Sequence, residues 1–219
     1  MKRLIKPGIY IITLCLASFI FVSCSTNGIQ RSGNVQASLE VVDNDIQKIV
    51  LQIDKIGAAL HKLTRPGEPD RRQAYDQYSE SLSNIEKLEN DFLKHAKEME
   101  TNNNDYLKEW EKNSNEYDNP EIQRLSSERH EIVSKAFNKI SETNVGIKDT
   151  FRAYVSDVIE IEIFISNDLS SRGIESISPT SNQTVNNGKY LKSALLNLQS
   201  AIEVARAEMI QSGIAMNLQ

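Results

Sequence analysis

Cysteine, histidine and glycine are scarce in this chain of 219 residues, which has two cysteines, three histidines and nine glycines. So few glycines leave no candidate for a phosphate-cradling loop, and no Gly-x-Ser-x-Gly nucleophile elbow occurs. None of His61, His95 and His130 completes the Glu-x-x-His pair that metal sites in helical bundles use. We therefore expect no catalytic residue, no metal and no cofactor, in a protein that is not an enzyme.

Aromatic residues and positive charge are also in short supply. Aromatics make up 6% of the chain, and the formal net charge is -5. Because the chain is acidic, it lacks the basic surface that attracts nucleic acid, and we expect no nucleic-acid partner. The abundance of Glu, Lys, Asn, Ser, Leu and Ile favours helices with narrow apolar stripes. Narrow helical seams rarely form pockets with converging polar groups, so no small-molecule substrate is expected.

The first residues have the composition of a targeting segment. Lys2, Arg3 and Lys6 precede an apolar run from Ile9 to Val22, which is shorter than the roughly 20 residues that span a membrane. We expect residues 1–23 to be a signal peptide. An ordinary secretory signal or a short membrane anchor is the alternative.

The apolar run ends in Phe21-Val22-Ser23-Cys24, which resembles the lipobox of bacterial lipoprotein signal peptides. The resemblance departs from the pattern at Phe21, where the lipobox prefers leucine. It implies that Cys24 is the lipid attachment site, carrying acyl chains such as palmitate, and that residues 24–34 form a lipidated, flexible tether. Ser25 after the cysteine favours the outer membrane by similarity to enterobacterial sorting.

Apolar residues recur at alternating spacings of four and three along most of the remaining chain, as in helices that pack lengthwise. The repeat predicts helices at about residues 35–63, 70–118, 120–169 and 179–212. Polar residues such as Asp43 and Asp45 are expected on the outer faces of the first helix. The predicted stripes are Val35, Leu39, Val42, Ile46, Ile49, Ile53, Ile56, Leu60 and Leu63; Tyr78, Leu82, Ile85, Glu89, Phe92, Ala96, Met99, Asn103, Tyr106, Trp110, Asn113 and Tyr117; Ile140, Ile147, Phe151, Tyr154, Val158, Ile161 and Ile165; and Leu191, Leu195, Leu198, Ile202, Ala205 and Met209.

These lengths predict an all-α fold in which residues 35–219 form a single elongated antiparallel coiled coil or four-helix bundle. The two middle helices are longer than the first and last. We therefore expect a long helical hairpin to protrude beyond the bundle, with the lipid tether leaving from the flank.

One aromatic group lies in an otherwise polar part of this hairpin. Exposed aromatic patches often mark contact sites, so the group is a candidate partner contact. Packing against the returning helix, through Ile122, Leu125 and Val133, is the alternative, and both can hold. The group comprises Tyr106, Leu107, Trp110 and Tyr117.

Three polar residues interrupt the apolar stripe of the second helix, namely Glu89, Asn103 and Asn113. Polar residues in a helical seam set the register and the number of partner helices. We interpret these three as register-setting residues, with a binding site as the alternative.

Several short motifs resemble an uncharacterised family of helical, coiled-coil bacterial lipoproteins, a domain-of-unknown-function family. The resemblance extends from about Ile46 to Ala207. It implies the location and the helical fold, but no activity, cofactor or catalytic residue. The motifs are Tyr106-Leu107-Lys108-Glu109-Trp110-Glu111, Asn119-Pro120-Glu121-Ile122, Asn167-Asp168-Leu169-Ser170 and Gly173-Ile174-Glu175.

Together these features predict a lipid-anchored protein of a Gram-negative cell envelope, facing the periplasm, that acts as a structural or protein-interaction module. Its expected partners are the membrane, through the N-terminal lipid, and an unknown protein or a second copy of itself. The alternative is a membrane-active bundle of the pore-forming type that releases the segment Val155–Ile165. Asp157, Glu160 and Glu162 make this segment too charged for simple insertion.

Overall fold

The computed structural model describes residues 25–214, with side chains from residue 28 to residue 210. Cys24 and the predicted signal peptide lie outside the described residues. The described part folds into six helices and contains no strand. They are α1 (Ser25–Leu63), α2 (Arg71–Leu82), α3 (Ile85–Ser114), α4 (Pro120–Asn144), α5 (Ile147–Asn167) and α6 (Ser171–Ile214).

The six helices form four antiparallel columns, which confirms the predicted all-α bundle. Column one is α1, column two is α2 with α3, column three is α4 with α5, and column four is α6. The Arg31–Glu109 and Asp45–His95 pairs show that α1 and α3 run in opposite directions. The Lys192–Asp54 and Gln199–Asp43 pairs show that α6 and α1 are also antiparallel.

The core is a single apolar seam along the bundle axis. All the residues of the stripes predicted for the first, third and last helices are buried. Each large aliphatic side chain that is fully removed from water contributes about 1.5–3 kcal/mol. Because the stripes are narrow, every column needs its neighbours to bury its apolar face.

The second predicted helix is not continuous, because it breaks between Leu82 and Ile85. Ser83 N–H bonds back to the Glu80 carbonyl, three residues away, which tightens the last turn of α2. The Gln52 side chain, on α1, donates a hydrogen bond to the Ser81 carbonyl. A carbonyl at the end of α2 is thereby satisfied from a neighbouring column.

The third predicted helix also breaks, at Val145 and Gly146, so the predicted helix at 120–169 is two helices. Gly146 has a φ of 80°, a left-handed conformation that only glycine adopts without strain. The prediction treated this glycine as part of a continuous helix.

The last helix begins at Ser171 rather than near residue 179. Ser170 caps it, because its hydroxyl accepts a hydrogen bond from Gly173 N–H. Pro179 lies inside α6, where its ring removes one backbone donor. Burial of Ile174 and Thr184 on either side keeps the helix continuous through the proline.

The first helix begins at Ser25, ten residues earlier than predicted. The described part of the predicted tether is therefore helical rather than flexible. Because α1 runs antiparallel to α3, its start lies at the end of the bundle where α3 turns into α4, and not at the flank as predicted.

The outer columns also accompany the hairpin further than predicted. Arg31 of α1 reaches Glu109, and Arg129 pairs with Glu208 of α6. We call residues 110–128, which hold the turn between α3 and α4, the tip of the hairpin. We call the end of the bundle that holds this tip the turn end, and the opposite end, with loops 64–70 and 168–170, the far end.

Two tyrosines lie deep in the core, and burial raises the pKa of each above its usual value. Tyr78 donates a hydrogen bond from its hydroxyl to the Val158 carbonyl at 2.7 Å. Its pKa is raised by burial first and by nearby Tyr154 and Glu162 second. The pKa of Tyr154 is raised by burial first and by Asp54 second.

The first testable consequence concerns Gly173, which lies against Asp168. A Cβ at this position would collide with the Asp168 carbonyl oxygen, which is backbone and cannot move aside cheaply. We expect Gly173→Ala to lower the free energy of unfolding by about 1–3 kcal/mol, as overpacking does. Urea unfolding followed by circular dichroism measures the change.

Gly33→Ala is the matched control, since a Cβ added there meets no atom within 4 Å. Alanine should stabilise α1 at this helical position by about 0.5–1 kcal/mol. Equal effects of the two substitutions would contradict the close packing of Gly173 on Asp168.

The second consequence concerns alkaline pH. Tyrosine ionises near pH 10 when unfolded, whereas burial keeps Tyr154 neutral in the fold. The unfolded state therefore binds fewer protons above pH 10, and stability should fall by roughly 1.4 kcal/mol per pH unit for this group. Tyr154→Phe should make the measured loss between pH 10 and pH 11 shallower. Tyr190→Phe, at an exposed position, is the matched loss of a tyrosine hydroxyl against which the slope of Tyr154→Phe is compared.

Candidate interaction surface at the turn end

An aromatic cluster joins α3 to α4 near the turn end. The rings of Tyr106 and Trp110 meet edge to face, with centroids 5.6 Å apart. Tyr106 also meets Phe137 at 6.4 Å, and Trp110 meets His130 at 5.7 Å. Such edge-to-face pairs add to the stability that burial alone supplies. The cluster therefore holds the two arms of the hairpin together.

Hydrogen bonds close a ring around Trp110. Its indole Nε1–H donates to Ser126 Oγ at 2.9 Å, and Ser126 Oγ lies 2.8 Å from Ser114 Oγ. Ser114 Oγ in turn donates to the Trp110 carbonyl at 2.9 Å. Each hydroxyl has one proton, so Ser126 must donate to Ser114 for all three bonds to exist. The ring links both arms with every donor satisfied.

The four predicted contact residues divide into two groups. Tyr106, Leu107 and Trp110 are half-buried and pack against the core, whereas Tyr117 is 40% exposed. The structure therefore brings the first three together as packing residues and leaves only Tyr117 open at the turn. Phe137, His130 and Ser126 contact this group as well, although the sequence pattern did not predict them as its partners.

The three residues expected to cover the aromatics also divide. Val133 is buried, but Ile122 is 48% exposed and Leu125 is 52% exposed. Together with Tyr117 they form an exposed apolar surface that flanks the turn. We call Tyr117, Ile122 and Leu125 the tip patch.

Ion pairs fasten the outer columns to the hairpin beside this patch. Arg31 Nη1 lies 3.0 Å from Glu109 Oε2, and Arg129 Nη1 lies 3.0 Å from Glu208 Oε2. A second Arg129 nitrogen donates to the Glu208 backbone carbonyl. All four side chains are partly buried, so the pairs are less screened than exposed ones. The predictions missed these residues, because charged residues outside a stripe carry no signal about which column they face.

Two of the three predicted register-setting residues lie in the seam, and the third does not. Glu89 and Asn103 are buried in the seam as predicted, and Glu89 lies 3.5 Å from Arg152 Nε across the columns. Asn113 is exposed, so its predicted place in the seam is wrong. After Trp110 the inward position falls four residues on, at Ser114, because a helix turns every 3.6 residues and the strict four-three alternation drifts.

Two buried carboxylates hold α1 to its neighbours, although both were predicted to lie on outer faces. Asp43 accepts a hydrogen bond from Gln199 of α6 at 2.6 Å. Asp45 Oδ2 lies 2.6 Å from His95 Nδ1 of α3. The two aspartates thus face opposite neighbouring columns. Buried carboxylates need such partners, and these contacts specify which helices flank α1.

Chemical sites are sparse elsewhere. Within the described residues, no three histidine, cysteine or carboxylate side chains converge as metal ligands do. A shallow groove of about 550 Å³ lies between α1 and α2, far from the tip patch. Gln52 and Glu80 are among its polar lining residues and lie beside the α2–α3 break, whereas Lys62 lines it at the end of α1.

Comparisons with known proteins add no family. No family model, no curated protein and no solved structure matches this chain. The family resemblance given above therefore stays a prediction.

No helix of the described part combines the length and the apolar character that crossing a membrane requires.

The third testable consequence concerns the hydrogen-bonded ring. Ser126→Ala removes the acceptor of the Trp110 indole and a partner of Ser114, and should destabilise the fold by about 1–2 kcal/mol. Trp110 is the only tryptophan, so its emission should change as well. Urea unfolding and the fluorescence spectrum measure both effects.

Ser127→Ala is the control for this substitution. Ser127 is exposed and its hydroxyl bonds only within its own helix, to Gln123. Its effect should stay within about 0.5 kcal/mol. If Ser126→Ala were equally mild, the ring would contribute nothing to the junction of α3 and α4.

Proposed function

We propose that this protein is a lipid-anchored spacer of a Gram-negative cell envelope, held at the outer membrane and facing the periplasm. It acts without catalysis, through contact with a protein partner. The observation that carries the proposal is the start of α1 at Ser25, directly after the lipobox-like Cys24. The predicted anchor is thereby joined to a bundle helix without a flexible linker.

The dimensions of the bundle support a spacer. Helix α1 has 39 residues and α6 has 44. At 1.5 Å per residue they are about 58 Å and 66 Å long. An anchor at the turn end would hold the far end about 60 Å from the membrane surface when the bundle stands upright.

The distribution of exposed apolar residues supports a partner along the side of the bundle. Helix α6 carries Tyr190, Leu196, Val204 and Ile210 as exposed large apolar side chains, and Tyr190 is 72% exposed. Within the described residues, α2 and α3 carry none. Exposed apolar surface marks contact sites. We therefore place the partner contact on the outer face of α6.

The membrane-active alternative requires α5 to leave the bundle. Val155, Val158 and Ile161 of this helix are buried, and Glu162 accepts a hydrogen bond from Tyr75 at 2.5 Å. Dye release from liposomes by unlipidated protein would support this alternative over the spacer.

Site-specific photo-crosslinking in cells tests the spacer. A photoreactive amino acid at Tyr190 or Val204 should capture the same partner protein. The same reagent at Glu98, an exposed position of α3, is the matched control and should not, because α3 lacks exposed large apolar residues. Cys24→Ala, which removes the predicted anchor, should abolish or alter the capture from α6.

Other outcomes of this experiment are equally informative. Capture from Glu98 but not from α6 would refute the proposed contact face. Crosslinks between two copies of the chain would replace a heterologous partner with self-association. An unchanged membrane fraction after Cys24→Ala would remove the lipid anchor from the proposal.

A further inference from the structure

We propose that the turn end of the bundle faces the bilayer that holds the lipid anchor, and that the tip patch touches this bilayer. Tyr117, Ile122 and Leu125 would then be a membrane contact. The inference rests on the proposed lipidation of Cys24, and it adds the orientation of the bundle and the occupant of an exposed apolar surface.

The direction of α1 is the first argument. The Arg31–Glu109 pair places these residues at the same level of the bundle. Seven residues separate Arg31 from Cys24, a distance of about 10 Å in a helix. Five residues separate Glu109 from the end of α3 at Ser114, which is about 7.5 Å along the helix, and Tyr117 follows three residues later in the turn. The predicted anchor and the hairpin turn therefore lie at nearly the same height.

The reach of the chain is the second argument. Even fully extended, the seven residues from Arg31 to Cys24 span at most about 25 Å. The end of α1 at Leu63 is 32 residues from Arg31, or about 48 Å along the helix. An anchor at Cys24 thus keeps Arg31 within about 25 Å of the bilayer whatever conformation those seven residues adopt, so the bundle cannot stand with only its far end on the bilayer.

The placement of apolar residues is the third argument. The tip patch consists of residues that are 40% to 52% exposed, in the turn and on the first turns of α4, and Ile29 of α1 is exposed at the same end. Near the far end, Ile163 and Phe164 of α5 are exposed as well, at 53% and 41%, so the direction of α1 and not apolar exposure alone decides which end faces the bilayer. Tyrosine with aliphatic neighbours suits the boundary between headgroups and acyl chains.

Charge defines the kind of contact. Residues 105–129 contain seven acidic and four basic side chains. An excess of negative charge opposes binding to anionic lipid, so the patch would not recruit the protein to a membrane on its own. The anchor instead supplies a high local concentration, and the apolar patch then makes a weak contact. We expect this contact to weaken as the anionic lipid fraction rises, and salt to restore it.

Fluorescence quenching by brominated lipid tests the orientation. The background is the full, lipidated chain with Trp110→Phe, which removes the only tryptophan. Tyr117→Trp then reports from the tip, and Phe164→Trp reports from α5 near the far end. Both positions are exposed, so neither substitution disturbs the core. Circular dichroism verifies that each variant is folded.

In zwitterionic vesicles that contain a brominated phosphatidylcholine, the tip probe should lose several-fold more emission than the far-end probe. Adding Ile122→Ser and Leu125→Ser should reduce the quenching of the tip probe while the protein remains bound to vesicles. Equal quenching of both probes would mean that the bundle lies flat on the bilayer. That result, or an unquenched tip probe, would overturn the proposal.

Mass spectrometry and vesicle flotation separate this failure from failure of the proposed function. A chain without acyl groups, or one that does not float with vesicles, would overturn the anchor and the orientation together. A chain that floats with an unquenched tip probe would overturn the orientation alone. Photo-crosslinking from position 117 to a protein instead of lipid would assign the tip patch to a protein partner.

Discussion

Burial of four narrow apolar stripes against one another is the constraint on which the rest of this structure depends. No column has a second apolar face wide enough to form a core by itself, so α1, α6 and the two arms of the hairpin stabilise each other along the bundle. The seam continues past the interruptions of the second and third columns, because Phe92 and Phe151 still meet across it, with ring centroids 6.1 Å apart. The apolar seam therefore tolerates breaks in the helices that supply it. The bundle therefore stays continuous along its whole length as long as each column buries its apolar stripe.

Polar contacts decide which columns are neighbours, which the apolar seam alone does not specify. A stripe of leucine and isoleucine packs nearly as well against any similar stripe, whereas the buried Asp43 requires Gln199 and the buried Asp45 requires His95. Leaving either carboxylate without a partner would cost more than the contact contributes, so wrong arrangements are penalised. At the turn end, the Arg31–Glu109 and Arg129–Glu208 pairs likewise favour these columns as neighbours. The order of the columns and the antiparallel direction of α1 follow from these contacts.

The stripes could be predicted from spacing because burial in a helix repeats every 3.6 residues, and all the residues from Val35 to Leu63 in the first stripe are indeed buried. The breaks could not be predicted in the same way. At Gly146 a positive φ separates α4 from α5. Before Ser83, the Ser81 carbonyl at the end of α2 accepts a hydrogen bond from Gln52 of another column, a contact that local sequence does not reveal. The start of α6 was misplaced because Pro179 suits a first turn, whereas the cap formed by Ser170 and Gly173 is a weaker local signal.

Asn113 was assigned to the seam by an alternation that the real helix does not follow. The aromatic group of the tip was found from composition, but its hydrogen-bonded ring depends on Ser114 and Ser126, which are 12 residues apart in the chain.

The way in which a lipid anchor is joined to a protein determines whether the anchor can orient it. A flexible tether keeps a protein near its anchor but does not fix the orientation of the protein, since the segments of the tether reorient freely. A helix fixes both the location and the orientation if it starts one residue after the anchor and packs against two other columns. In this chain Arg31 is already engaged with Glu109, so the bundle begins within seven residues of Cys24. Under the proposed lipidation of Cys24, a partner that binds the far end would be coupled to the membrane through packed helices. If Cys24 is lipidated as proposed, the turn end with its exposed Tyr117 is the part of the molecule closest to the bilayer, and the long outer face of α6 is the part that the proposal assigns to a protein partner.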